Sequence, residues 1–363
     1  RCFIGNYVLG RGFTFDDREK KRDTVNSLAE MQALLARDPR NAQRIFPYLG
    51  GEELNDDPEQ KPHRYVINFG EMSEDEARTW PDLMAIVEAK VRPERLKANR
   101  DALRLRWWQF AEKQPALHRA LQGKTRVLVI ARVSNTAAFV FLPTGYVYSE
   151  KIVVFPEDRD AFFAVMQSSA HETWARFFSS SMKDDLQYTP SDCFETFPFP
   201  RGWADDAGLA DLGQRYHQHR AQTMRDTLGT KKPEGLTATY NRVHNPHEHS
   251  PAIVTLRDLH AQLDRAVLDA YGWGDLRPVY DFRVQLDGRV RWTWGEDTRD
   301  EVLARLLEEN RVRSAPAGGG TGSATDGGTG SGTGAKRAGA GRRKKGATGG
   351  DGGDGGPQGS LGL

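Results

Sequence analysis

The stretch QYTPSDCFETFPFP, residues 187–200, sets Phe194, Phe197 and Phe199 among Pro190, Pro198 and Pro200. Proline has no N–H to give a helix interior or a central strand, so neither is expected here. The segment is also too aromatic for a solvated loop. It is expected to lie extended against an apolar surface, with Tyr188 and Thr189 at its start. The rest of the chain must therefore supply a core that can receive three phenylalanines.

That core is legible just upstream. After Gly123, RVLVIARVS, AAFVFLPTGYVYS and KIVVF are β-branched and aromatic runs between turns, which is a small sheet. DRDAFFAVMQSSAHETWARFFSSSM then places Phe162, Val165, Met166, Trp174 and Phe178 at helical spacing. Earlier, FIGNYVLGRGFTF (3–15) reads as strands with a tight turn at Gly10 to Gly12, and HRYVINFGEM as a short strand. The periodicity from Val25 to Leu35 predicts a helix, with Asp23 or Thr24 as N-cap and Asp38-Pro39 as its stop; IFPYLGGEEL reads as an apolar turn. Ser73, three residues before Glu76, has the spacing of a capping box. The apolar stripe after it is interrupted at Pro93 and resumes as a second helix in ERLKANRDALRLRWWQFAEK.

Beyond Pro200 the pattern is helical in DLGQRYHQHRAQTMRDTL, PAIVTLRDLHAQLDRAVLDAYGW and DEVLARLLEENRVR. From Ala315 Gly, Ser and Thr dominate and no aromatic appears, so ordering would bring no hydrophobic return. The fold class is α+β: a small mixed sheet flanked by helices, then a helical C-terminal region (201–313) and a disordered Gly-rich basic tail (314–363).

Formal net charge is +1 over 363 residues, so partners must be sought in the charge distribution. Two cysteines, Cys2 and Cys193, form no metal-ligand spacing and no disulfide framework, which points to a reducing, cytoplasmic setting. No apolar run approaches the roughly 20 residues that span a bilayer. RCFIGNYVLGRGF carries neither an initiator Met nor a signal pattern and already reads as strand, so the chain is expected to be the C-terminal part of a longer polypeptide.

Between Lys90 and Arg126 stand eleven Lys or Arg against three acidic residues, a local net of +8. Lys97, Arg100 and Arg104 are expected on one helical face, near Arg92, Arg95 and Arg106 and followed by Trp107 and Trp108. Guanidinium groups beside aromatics attract a phosphate backbone. The alternative is a solvated helix whose arginines pair with acidic neighbours. His217, His219, His244, His247 and His249 raise metal binding, but HNPHEH reads better as a solvated loop. Asp82, Glu88 and Lys90 have the residue types of a nuclease site, yet the acids fall on different faces of one helix. No nucleophile elbow, P-loop or dinucleotide fingerprint is present.

DPRNAQRIFPYLGGEELN (38–55), RYVINFGEMSEDEA (64–77), RWWQF (106–110) and above all YTPSDCFETFPFP (188–200) together resemble the region that follows the catalytic domain in large adenine-specific DNA methyltransferases. The kin are MmeI-like fused restriction and modification proteins and the methylases of DISARM-type phage-defence systems. TATYNRVHNP (237–246) and LHAQLDRAVLDAYGW (259–273) are similar to the C-terminal helical segment of the same group. The resemblance implies a connector at 1–60 and a DNA target recognition domain at 61–200. It also implies an upstream domain that binds S-adenosylmethionine and methylates adenine at N6, with no cofactor bound by this chain. The methyl-donor loop is absent, and Asn245-Pro246 is followed by His247 rather than by a second proline and an aromatic.

The expected partner is double-stranded DNA. Base reading is assigned to the sheet and to the loop before the Phe-rich segment, where polar groups interrupt apolar runs: Arg132, Ser134, Asn135, Lys151, Lys183 and Gln187, with Tyr188 beside them. Arg and Lys suit guanine edges, and Asn and Gln suit adenine. The competing reading is a non-enzymatic scaffold whose basic helix docks an acidic partner.

Overall fold

The computed structural model describes residues 1–19, 24–179, 185–285 and 288–315. The tail expected at 314–363 lies outside them from residue 316 onward.

The chain opens with β1 (Phe3–Ile4), a 3-10 turn at Arg11–Phe13 and β2 (Thr14–Phe15). Helix α1 (Leu28–Arg37) begins later than the sequence suggests, because the Ser27 hydroxyl, not Asp23 or Thr24, accepts the Glu30 N–H; Asp38 ends it as read. Ile45–Leu49, expected as a turn, is strand β3, followed by α2 (Gly51–Asp56). Pro47 is tolerated because β3 is paired on only one side at that point; its second neighbour starts beside Tyr48. Next come β4 (Arg64–Ile67) and α3 (Glu74–Ala77), the latter closed by the Ser73/Glu76 capping box. Helices α4 (Pro81–Lys90), α5 (Arg92–Arg95), α6 (Asp101–Leu105) and α7 (Pro115–Leu121) complete the first half.

The second half contains β5 (Arg126–Ala131), β6 (Val133–Ser134), β7 (Val140–Pro143), β8 (Val147–Tyr148) and β9 (Ile152–Phe155). The long helical pattern after them is two helices, α8 (Asp160–Gln167) and α9 (Ser169–Phe178), because Ser168 leaves helical geometry and caps α9 with its hydroxyl. Then follow β10 (Leu186–Gln187), α10 (Ala207–Arg225), α11 (Leu236–Val243), α12 (Pro251–Ala270), β11 (Tyr280–Val284), β12 (Val290–Trp294) and α13 (Glu296–Ser314). The C-terminal region is therefore not helical throughout, since β11 and β12 form a hairpin.

These strands build two four-stranded sheets, ordered β1-β9-β5-β7 and β2-β4-β3-β8, and two ribbons, β6–β10 and β11–β12. The first sheet is antiparallel; the second is mixed, with β3 and β8 parallel. Residues 1–15 contribute an edge strand to each sheet. One core lies where the first sheet meets α8, α10 and α12. Gly213 on α10 has no room for a Cβ against the Asp160 carbonyl, and that close approach sets α10 on the start of α8. The other core gathers Phe13, Phe15, Val66, Leu83, Val87, Trp107 and Trp108 around the second sheet.

The Phe-rich segment is pinned as expected but is not wholly extended. Pro190–Phe194 makes one π-helical turn, allowed because Pro190 occupies the first helical position, where its missing N–H costs nothing. Phe197 is buried, Phe199 stacks on Phe162 with ring centroids 5.5 Å apart, and Phe194 meets Phe155 edge-on at 5.0 Å. Among the described residues no helix is long and apolar enough to cross a membrane.

Candidate nucleic-acid interface

The basic segment is not the single charged face that its sequence predicts. A break between α5 and α6 turns Lys97 and Arg100 off any common helical face with Arg104. Much of the charge is also paired within the chain. Arg92 bonds Glu88 at 2.5 Å and sits over the Trp107 ring; Arg100 meets Glu112 at 3.0 Å; Arg104 reaches Asp101 and the Ala98 carbonyl; Lys124 meets Asp158 at 3.2 Å. Arg95 is buried and donates to the Val8 and Gln109 carbonyls, and Trp107 is buried in the second core. Both leave the set of DNA candidates, because a nucleic acid cannot reach them. Lys97 and Arg106 are exposed.

The base-reading candidates, by contrast, converge. The chain turns sharply after β5, and β6 pairs with β10 in the register Leu186↔Ser134 and Gln187↔Val133. The Arg132 N–H donates to the Lys151 carbonyl at 2.7 Å, while the Arg132 carbonyl accepts the Tyr188 N–H at 2.8 Å. The backbones of Arg132, Ser134, Asn135, Lys151 and Gln187 thus come together at one edge, with Ser134 opposite the buried Leu186 and Gln187 on the other face opposite Val133, beside a cleft of about 520 Å³ lined by Arg64, Val133, Glu150 and Lys151. Lys183 lies outside the described residues. Tyr188 is not on this edge. It is fully buried, its hydroxyl 2.9 Å from Nε2 of His171, and it anchors the ribbon from below.

What holds the edge in place was not foreseen from the sequence. The Asn135 carbonyl accepts two guanidinium groups, Arg176 on α9 at 3.1 Å and Arg291 on β12 at 3.0 Å, and the Thr136 hydroxyl donates to Asn135 Oδ1 at 2.9 Å. Glu172 bonds Arg176 one turn earlier at 2.8 Å. Burial pushes the Glu172 carboxyl up, but Arg176, with Arg291 and His244 nearby, outweighs it and takes the pKa below the ordinary value. Two long cations gripping one carbonyl fix where the β6 turn points, and the Ser134 hydroxyl, accepting the Thr136 N–H at 3.2 Å, tightens it from within.

Behind this grip lies a cavity of about 560 Å³ between α9, the hairpin and α13, lined by Thr136, Glu172, His244, His260, Arg291 and Trp292. Its wall brings Ser169, His260 and Asp264 together, but not as a nucleophile. The Ser169 hydroxyl donates to Asp264 Oδ2 at 2.6 Å, leaving its oxygen to accept from His260 Nε2 at 3.0 Å. A serine whose proton already sits on a carboxylate is not activated by an imidazole base. Tyr280 also donates to Asp264, so the cluster anchors the hairpin base.

His244 and His217 are structural as well. His244 Nδ1 accepts the Trp292 N–H at 3.2 Å, and burial, reinforced by Arg291, lowers its pKa to about 3. His217 accepts the Phe141 N–H at 3.4 Å and is lowered to about 3 by burial and then by Arg220. Among the described residues no group of three or more His, Cys, Asp or Glu is arranged to hold a metal.

Residues 20–201 match the family model described as MmeI, target recognition domain. DNA methyltransferase A of Bacillus subtilis (strain 168) is 23% identical over 191 residues, covering 51% of this chain and 18% of that protein. A solved structure of the Type IIL restriction-modification enzyme MmeI in complex with DNA superposes with a TM-score of 0.58 at 17% identity, covering 87% of this chain and 36% of that one. The chain thus spans well under half the length of either protein.

Proposed function

Because the chain belongs to the MmeI target recognition domain family, we propose that it is the sequence-specific DNA-reading region of a DNA adenine-N6 methyltransferase in a restriction-modification or phage-defence system of the cytoplasm. The observation that carries this reading is the convergence of Arg132, Ser134, Asn135, Lys151 and Gln187 on one braced edge within the matched span. A two-stranded ribbon fits the major groove of duplex DNA, where these side chains match base-edge donors and acceptors. Lys97, Arg100 and Arg106, exposed on the basic segment, are suited to phosphates, which position the protein without reading sequence. S-adenosylmethionine and the transfer itself are assigned to a domain outside this chain.

The test is selection of bound duplexes from a randomised pool by the 363-residue chain. Enrichment of a defined motif is expected, and Gln187→Ala or Asn135→Ala should relax it at one base pair, at a cost of about 1–3 kcal/mol, with non-specific affinity nearly intact. Binding without enrichment, or no binding to duplex at all, would refute it and favour the scaffold whose basic segment docks an acidic partner.

A further inference from the structure

We propose that the cavity between α9, the hairpin and α13 is a binding site for a small planar nitrogen heterocycle carrying an amino group beside a ring nitrogen, the edge that free adenine and cytosine present.

Most of the cavity wall is apolar or already satisfied. Val243 and Leu256 are buried and line it. The Tyr216 and Tyr240 hydroxyls bond each other at 2.9 Å, and Arg220 donates to the Tyr240 hydroxyl at 2.8 Å. Gln167 accepts the Phe139 N–H and donates to the Ala137 carbonyl. Ser169 and His260 are turned to each other and to Asp264.

Glu172 and His244 differ, because each keeps one polar atom unspent on a residue that lines the cavity. Arg176 takes only Oε1 of Glu172, through Nε at 2.8 Å and a terminal nitrogen at 2.7 Å. Oε2 has no bond among the described residues, and the side chain is 36% exposed. His244 accepts the Trp292 N–H through Nδ1, which puts its proton on Nε2; that N–H has no partner among the described residues.

These two atoms set the chemistry of the occupant. Arg176 already balances the Glu172 charge, so the fitting partner for Oε2 is a neutral N–H rather than an ammonium. His244, held neutral by burial, donates and therefore calls for a ring nitrogen with a free lone pair. An amino group next to such a nitrogen supplies both at once. The shape of the occupant follows from the aromatic lining. Trp292 is stacked on Tyr280 at 4.4 Å and lines the cavity, as does Phe177, which is 56% exposed. Rings of this kind favour a flat partner. A volume of about 560 Å³ lies in the range that holds a small-molecule ligand.

The experiment is calorimetric titration of the full 363-residue chain with free bases, in the absence of DNA. Adenine and cytosine should bind. Hypoxanthine and uracil, in which a carbonyl replaces the amino group and the adjacent ring nitrogen carries a proton, should bind about 10-fold more weakly or worse, because donor and acceptor are exchanged. Glu172→Gln should remove the preference for adenine over hypoxanthine. Thr173→Phe, which fills the cavity from α9, should abolish binding and keep the melting temperature. Equal affinity for adenine and hypoxanthine, no binding at millimolar adenine, or parental binding by Thr173→Phe would each overturn the site. If Thr173→Phe melts early, the comparison of adenine with hypoxanthine on the unsubstituted chain decides alone. Since no duplex is present, the outcome is independent of the DNA-reading function proposed above.

Discussion

Tyr188→Phe separates anchoring from reading. Tyr188 is fully buried below the reading ribbon, its backbone N–H bonded to the Arg132 carbonyl and its hydroxyl to His171 Nε2 at 2.9 Å. His171 is itself buried, its Nδ1 has no partner among the described residues, and burial lowers its pKa to about 3. Removing the hydroxyl therefore leaves both ring nitrogens of a neutral histidine without a partner, while the phenyl ring keeps its contacts with Phe139 and Phe155. The cost is that of one orphaned buried polar group, about 1–3 kcal/mol, with no large cavity to add. For a chain of this size that lowers the melting temperature by about 2–5 °C. Calorimetry or thermal circular dichroism measures it, and duplex titrations over salt measure the rest. The salt slope should not change, because no phosphate contact is lost. An unchanged melting temperature with a slope shallower by about 0.9 would put the hydroxyl on DNA and refute the anchoring argument.

Arg176→Ala and Arg291→Ala should each loosen the turn at Asn135, and the double variant should cost more than the two singles together, by about 0.5 kcal/mol or more, because either guanidinium alone can still hold the carbonyl; an additive cycle in urea unfolding would show that the two do not share it. Acidification supplies another check. His171, His217 and His244 are held neutral by burial with pKa values near 3, against an ordinary 6.5, so the unfolded chain takes up protons first and stability falls as pH drops below about 6.5 towards 3. Each histidine contributes up to about 1.4 kcal/mol per pH unit, and equal stability at pH 7 and 5.5 in urea titrations would contradict it.

The cores were legible because burial writes a strong pattern. Val127–Ala131 and Ile152–Phe155 are β-branched runs bounded by turns, and both are buried strands. The Ser73/Glu76 cap was legible for a similar reason, since it is local chemistry at fixed spacing. What failed was tertiary. The charges of the basic segment read as one helix face because Arg, Lys and Leu suit helices, but nothing local reveals that Asp101 and Glu112 take up Arg104 and Arg100, or that Arg95 turns inward to the Val8 carbonyl 87 positions away. Tyr188, just after the candidate reader Gln187, reads as a surface residue, since its partner, His171, lies across the core. The hairpin did leave a signal. In the sequence, Asp-Gly at 287–288 between alternating runs is a hairpin signal, and Gly288 adopts φ 77°, where glycine is favoured. That signal was outweighed by the long helical patterns on either side.

The proposed reading edge has to meet two requirements that conflict in most loops: to discriminate bases it must be rigid, yet free to present different side chains. Here the bonds that fix the edge are made by backbone. Asn135 is held through its carbonyl, Arg132 through its N–H and carbonyl, and β6 and β10 through their ladder. The Lys151 side chain, 70% exposed, carries little of that load, whereas the Ser134 hydroxyl adds to it by accepting the Thr136 N–H at 3.2 Å. The residues that do carry it, Arg176, Arg291, Tyr188 and His171, lie behind the edge and are excluded from the groove by burial or by their own bonds. On the function proposed above, a substitution on the edge therefore changes which donor or acceptor would meet a base without moving the frame, whereas a substitution behind it would move the whole edge at once. Stability and base preference should accordingly respond to different residues of the same small region.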